Sequence, residues 1–387
     1  MKSKQVKNIP ELRFPEFLND GEWEENKLKD ICQMQAGKFV SASEINEKKI
    51  NDSLYPCYGG NGLRGYTKSH THNGEYSLIG RQGALCGNVT FASNKFHATE
   101  HAVVVTPKKH IDTNWLYYKL IHLDLNQYAT GQAQPGLSVE NLERVKVETP
   151  KEEKEQQKIA DCLSSIDNLI TASTKKCETL KQHKKALMQQ LFPTDGEEIP
   201  KLRFPEFENS GKWEEKILDE VVNRYDNLRV PVSAINRIAG KTPYYGANGI
   251  QGYVSGYTHD GEFILVAEDG ANDLKDYPIQ YVNGKIWVNN HAHVLQAKKD
   301  IAYNRFLKFA ISKINIEPFL VGGGRAKLNA NIMMKLKINI PKLNEQQKIA
   351  DCLSSIDELI TAQSKKVETL KEHKKGLMQQ LFPRSEG

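Results

Sequence analysis

At 387 residues the chain has room for two or three domains. Apolar residues make up 39% of it, which is low for one large core and suits two modest cores joined by half-exposed helices. The formal net charge of +5 permits a polyanionic partner without requiring one.

The six cysteines (Cys32, Cys57, Cys86, Cys162, Cys177, Cys352) form no Cys-x-x-Cys pair, so they read as packing residues of a reducing, cytoplasmic compartment rather than as disulfides or metal ligands. The opening MKSKQVKNIPELRF lacks the apolar stretch of a signal peptide, and no apolar run reaches membrane-spanning length. No membrane partner is expected.

In chain order, residues 1–19 form an N-terminal segment containing LRFPEF at 12–17, which recurs at 202–207. Trp23-Glu24-Glu25 recurs as Trp213-Glu214-Glu215, and Leu28 as Leu218, again at an offset of 190. Residues 20–150 and 210–341 are two globular units of short strands and a few helices, a mixed α/β (α+β) class. Each is followed by a long helix, 151–193 and 342–387, and residues 194–209 link the first helix to the second unit.

The helices are the most conspicuous repeat. Residues 155–193 and 345–383 match at 33 of 39 positions. Ile159, Leu163, Ile166, Leu180 and Leu187 in one, and Ile349, Leu353, Ile356, Leu370 and Leu377 in the other, lie on a heptad seam. Acidic residues open each helix, basic ones crowd its end, and Pro193 and Pro383 stop it. At 1.5 Å per residue each rod is roughly 55–60 Å long. A rod with one apolar stripe needs a partner, and the other copy is the obvious one. An antiparallel pair lets the segment between the rods sit compactly at one end. This predicts a pseudo-two-fold dumbbell, a coiled coil between two globular units, in which rod length sets their separation.

Three signatures keep their order in both units. YGGNGLRGY (58–66) matches YGANGIQGY (245–253), glycine turns flanked by strand tyrosines. HNGEYSLIGRQG (72–83) matches HDGEFILVAEDG (259–270), a β-run ending in a turn. GQAQPGLS (131–138) matches GGGRAKLN (322–329). In the second signature the frame is kept, but Arg81-Gln82 stands where the other unit has Glu268-Asp269. Arg and Gln suit guanine and adenine edges, and Glu and Asp can accept from cytosine N4. The competing reading is two solvated turns with drifted side chains. If the loops read bases, the candidates are Asn61, Arg64, Arg81, Gln82, Gln132 and Gln134 in one unit. In the other they are Asn248, Gln251, Glu268, Asp269, Arg325, Lys327 and Asn329.

The sequence contains no P-loop, no GxGxxG after a strand, no HExxH and no Gly-x-Ser-x-Gly elbow. His97, His101, His291 and His293 read as core or strand-edge residues rather than metal ligands, because His293 is matched by Val103. No catalytic constellation is expected.

Two divergent globular units, two near-identical helices, and LRFPEF and EQQKIADCLSSIDNLI at the joints together resemble the specificity subunit of type I restriction-modification enzymes. The resemblance covers essentially the whole chain, with both units and both rods present. It implies target recognition domains that each read half of a bipartite, asymmetric site in double-stranded DNA. It also implies rods that space the domains and dock two methyltransferase (modification) subunits, with restriction/translocase subunits joining them. N6-adenine methylation would be the partner's work, so S-adenosylmethionine, ATP and Mg belong to partner subunits and no cofactor or metal to this chain. The alternatives are a coiled-coil adaptor or scaffold, which leaves the divergent tips unexplained, and a single-chain DNA methyltransferase or nuclease, for which a motif is missing.

Overall fold

The computed structural model describes residues 8–383, apart from 84, 132–134, 195 and 323–325. The chain divides into two compact units, Met1–Thr174 with Lys365–Gly387, and Lys175–Ser364. Both boundaries fall inside the long helices, Glu153–Leu191 and Leu343–Leu381. Each unit therefore holds the start of one helix and the end of the other.

In the first unit Cys32–Ala36, Ala102–Pro107, Tyr76–Gly80 and Val89–Ala92 form one antiparallel sheet. Gly62–Thr67, Tyr55–Gly59, Lys95–Ala98 and His72–Asn73 form a second. The second unit joins the equivalent strands into one sheet of six, in which His259–Ala267 pairs along its length with Ile279–Val288. The first unit's equivalents are interrupted at two places, between His72–Asn73 and Tyr76–Gly80 and between Val89–Ala92 and Lys95–Ala98, the second of these at Asn94. Asn94 in the first unit takes a left-handed φ of 62° and breaks the strand there, whereas Gly284 takes φ 94° inside a continuous strand, as glycine does without strain. The RVKVETP and KLKINIP runs close each unit as two-stranded sheets, Lys146–Thr149 on Glu24–Lys27 and Lys337–Ile340 on Glu214–Ile217.

The helix Thr113–His122 inserts Trp115 between Trp23 and Phe382, with ring centroids 6.3 and 6.4 Å away. In the second unit Phe306 of Asn304–Ser312 lies 5.9 Å from Trp213 and 5.4 Å from Phe192. These clusters absorb the helix seams. Ile159, Ala160 and Leu163 share a core with Met378, Leu381 and Phe382, and Ile349, Ala350 and Leu353 share one with Leu191 and Phe192. The beginning of one helix thus lies beside the end of the other in each unit, so the pairing is antiparallel. The seam is engaged by the globular cores as much as by the opposite helix, which the heptad pattern did not foretell. Ile166 and Ile356 are also buried, whereas Leu180, Leu187, Leu370 and Leu377 are half-buried.

The repeated Glu-Gln that opens each helix explains why the joint sequences repeat. Arg13 of LRFPEF forks onto Glu155 with bonds of 2.7 and 2.8 Å and donates to the Gly21 carbonyl, while Trp23 Nε1 donates to the same carboxylate at 3.2 Å. Arg203 grips Glu345 at 2.7 Å twice and donates to the Gly211 carbonyl. Gln156 and Gln346 each accept one backbone N–H and donate to two carbonyls of their unit. The bond to Glu155 holds the Arg13 guanidinium above its ordinary pKa. Both partners are almost fully buried. Removing one side of such a pair strands a buried charge, at a cost of about 3–5 kcal/mol. Glu155→Ala and Glu345→Ala are each expected to lose that much in urea denaturation, while exposed Glu178→Ala loses almost nothing. Equal stability of all three would contradict the clamp.

Candidate nucleic-acid interface

In each unit the fold brings the three signatures to one place. In the first, the hairpin between Tyr55–Gly59 and Gly62–Thr67 lays its tip on the end of Tyr76–Gly80. The approach is so close that a Cβ on Gly80 would stand 2.0 Å from the Gly60 carbonyl oxygen, which only glycine allows. Arg81 N–H donates to the His101 carbonyl and Leu137 N–H donates to the Arg81 carbonyl. Gln82 bridges to Gly136, and Gly83 N–H donates to the Pro135 carbonyl.

On this ledge Asn61, Arg64 and Gln82 are exposed. Arg81 is half-buried, with Nη1 3.5 Å from the Glu100 carbonyl oxygen and its Nε without a partner. Gln132 and Gln134 lie outside the described residues. Here the tip presents the exposed hydrogen-bonding side chains of Asn61, Arg64 and Gln82.

The second unit has the same ledge and a different chemistry. Glu268 N–H donates to the His291 carbonyl, Leu328 N–H donates to the Glu268 carbonyl, and Asp269 bridges to Lys327. Asn248 is tied down, donating to the Gly270 carbonyl and accepting from Asn272 N–H. Gln251 is exposed beside Gly246, with Arg237 Nη2 3.5 Å away, and Asn329 caps the short helix Ala330–Met333 through its backbone.

Glu268 does not project as a free tip. Its carboxylate takes Arg229 at 2.6 Å and Lys327 at 2.8 Å, and its side chain is 13% exposed. Asp269 meets His291 Nδ1 at 2.5 Å. What faces outward at this tip is therefore mainly Lys327, 44% exposed. Arg325 lies outside the described residues.

The support under this tip was not foreseen. Asp226 accepts from Val294 N–H at 2.8 Å and meets His293 Nδ1 at 2.7 Å, while His293 Nε2 lies 2.8 Å from the Leu328 carbonyl oxygen. Arg229 also donates to the Ala292 carbonyl. At the corresponding strand positions the first unit has Ala36 and Val103. That paired change from apolar to ionic was the readable signal, and His293 alone, taken as a core histidine, hid it. Asp226, Glu268 and His293 are close enough to hold a metal ion. Arg229 and Lys327 already neutralise the two carboxylates, so the cluster has no charge left for a cation to satisfy.

Burial pushes the Asp226 carboxyl up, but His293, the Val294 N–H and Arg229 outweigh it and hold its pKa below the ordinary value. Glu268 behaves alike: burial raises it, and Lys327 and Arg229 bring it below. Depressed carboxylates stabilise the fold fully above their unfolded values of about 4 and lose that contribution as pH falls through the lower folded values. Backbone amides of 268–272 are thus expected to lose exchange protection below about pH 4, before those of 81–83. Asp226→Asn should flatten the dependence. Loss of protection on raising the pH instead would contradict the assignment.

Against known proteins, the family described as "Type I restriction modification DNA specificity domain" matches residues 20–182 and 210–372. The type I restriction enzyme EcoprrI specificity subunit of Escherichia coli is 46% identical over 163 residues, 42% of this chain and 40% of that protein. The chain thus spans two fifths of that relative's length. The type I restriction enzyme MjaVIII specificity subunit of Methanocaldococcus jannaschii is 23% identical over 420 residues, 98% of this chain and 96% of that protein. The crystal structure of the type I restriction-modification system S subunit from M. genitalium superposes with a TM-score of 0.76 at 18% identity, covering 98% of this chain and all of that one, which establishes a shared fold.

Proposed function

The chain belongs to the family of type I restriction-modification DNA specificity domains, and from that premise we propose that it selects the DNA sequence on which a larger complex acts and performs no chemistry itself. The observation that carries this reading is the pair of ledges. One backbone arrangement is built twice, from the same three signatures, and is finished with Arg81-Gln82 in one unit and with Lys327 held by Glu268 in the other. Two copies of one reader with unlike tips suit a bipartite, asymmetric site in double-stranded DNA.

In this reading the rods would set the gap between the two half-sites. Their seam residues, from Ile159 and Leu163 to Ile349 and Leu353, are occupied inside the chain's own cores, so they are not the surface a partner meets. Leu169 and Leu359 are exposed at equivalent positions, one on each rod, and offer the same apolar foothold twice. Two modification subunits would dock there, carrying S-adenosylmethionine and methylating adenine N6, and translocating restriction subunits with ATP and Mg would complete the complex.

Methylome sequencing of cells carrying the assembled complex is the test. A methylated motif of two unlike half-sites around a fixed gap is expected, and the purified chain alone should transfer no methyl group. Arg81→Ala should cost about 1–3 kcal/mol and relax one base of one half-site. A palindromic motif, or a motif and affinity untouched by Arg81→Ala, would overturn the reading.

A further inference from the structure

The two units differ at a second place, where the globular part meets the rods. In the first unit Asp167 accepts from Tyr118 Oη at 2.8 Å and from Lys374 Nζ at 2.7 Å, one cation for one carboxylate. In the second unit the equivalent Asp357 takes Lys184 at 2.5 Å and Lys308 at 3.1 Å. Tyr117-Tyr118 has become Lys308-Phe309. Phe309 fills the place of the Tyr118 ring but has no hydroxyl, and Lys308 from the preceding position supplies the second bond.

The result is two ammonium groups on one carboxylate, both stacked on Phe309, with Nζ 5.3 and 4.1 Å from the ring centroid. Burial, and then the neighbouring Lys184, hold the Lys308 pKa below its ordinary value despite Asp357.

These lysines open onto a cleft of about 820 Å³ beside the rods in this unit. Lys181, Lys185, Lys275 and Lys313 line it with Lys184 and Lys308, against the carboxylates Asp273, Asp276 and Asp357. Its rim, residues 273–279, follows the tip at 268–270 in the chain and is tied to it where Tyr277 Oη donates to the Ala267 carbonyl. Lysines along a groove, without the planar fork of arginine, suit point contacts to a polyanion.

We propose that this cleft of the second unit seats the sugar-phosphate backbone next to the half-site, with Lys308 as a sequence-independent phosphate contact that the first unit lacks. It rests on the DNA-reading function proposed above. A backbone contact by Lys308 adds affinity equally on every sequence and releases a counterion.

The test uses the complex with its modification subunits, titrated with a duplex carrying its methylated motif and with an unrelated duplex, across a range of NaCl concentrations. Lys308→Gln removes the surplus cation and leaves Lys184 on Asp357. The double variant Lys308→Tyr/Phe309→Tyr installs the first unit's pair and guards against a folding defect in the single variant. Both are expected to make the slope of log affinity against log salt shallower by about 1 on both duplexes, with the methylated motif unchanged.

Unchanged slopes in a complex that still binds its motif would overturn the proposal and leave the reading function standing. Weaker assembly with the modification subunits at an unchanged slope would overturn it too, by assigning Lys308 to a partner carboxylate. A wild-type complex that binds neither duplex would instead refute the reading function itself.

Discussion

Glu155 and Glu345 fix the frame on which both units are built. Each sits in the first turn of a 39-residue helix, almost fully buried under an arginine fork. A carboxylate there is favoured by the helix dipole, and the guanidinium compensates the charge that burial would otherwise penalise. The bond ties three separated stretches together: the LRFPEF segment, the turn at Gly21 or Gly211, and the helix itself. The next residue, Gln156 or Gln346, fastens the same turn to the globular strands and loops.

Such a frame lets the rest diverge. The second unit merges two sheets into one and exchanges Ala36 and Val103 for Asp226 and His293, yet keeps the backbone path of the ledge. Charge at the ledge is handled in opposite ways. Arg81 keeps an Nε with no partner, whereas Glu268 is neutralised from within and positions Lys327. A reversal of charge in the sequence thus becomes, in three dimensions, two basic tips of different geometry. The same economy operates at Asp167 and Asp357, where a tyrosine and a lysine answer the same carboxylate from adjacent positions.

Much of this was legible in the chain. The helix lengths, their antiparallel pairing and the hairpin at YGxNGxxGY follow from repeats, periodicity and glycine placement, which are local properties. What escaped the sequence was long-range. The role of Glu268 depends on Arg229, 39 residues away, in a stretch whose counterpart in the first unit shares none of the matched signatures. The heptad seam indicated an apolar stripe, but apolar residues do not say what covers them, and Trp115 and Phe306 cover much of it. Arg and Glu at matched tips looked like two readers of opposite sign because a one-dimensional alignment shows the residue and not its counter-ion.

Two units built on one frame should be interchangeable readers, each specifying its own half-site. The direct measurement replaces residues 210–341 by a second copy of residues 20–150, assembles that chain with its modification subunits, and sequences the methylated sites. An inverted repeat of the half-site read by the first unit is expected, with the gap between halves unchanged. A methylated motif that still contains the second unit's half-site, or that loses the first unit's, would contradict it.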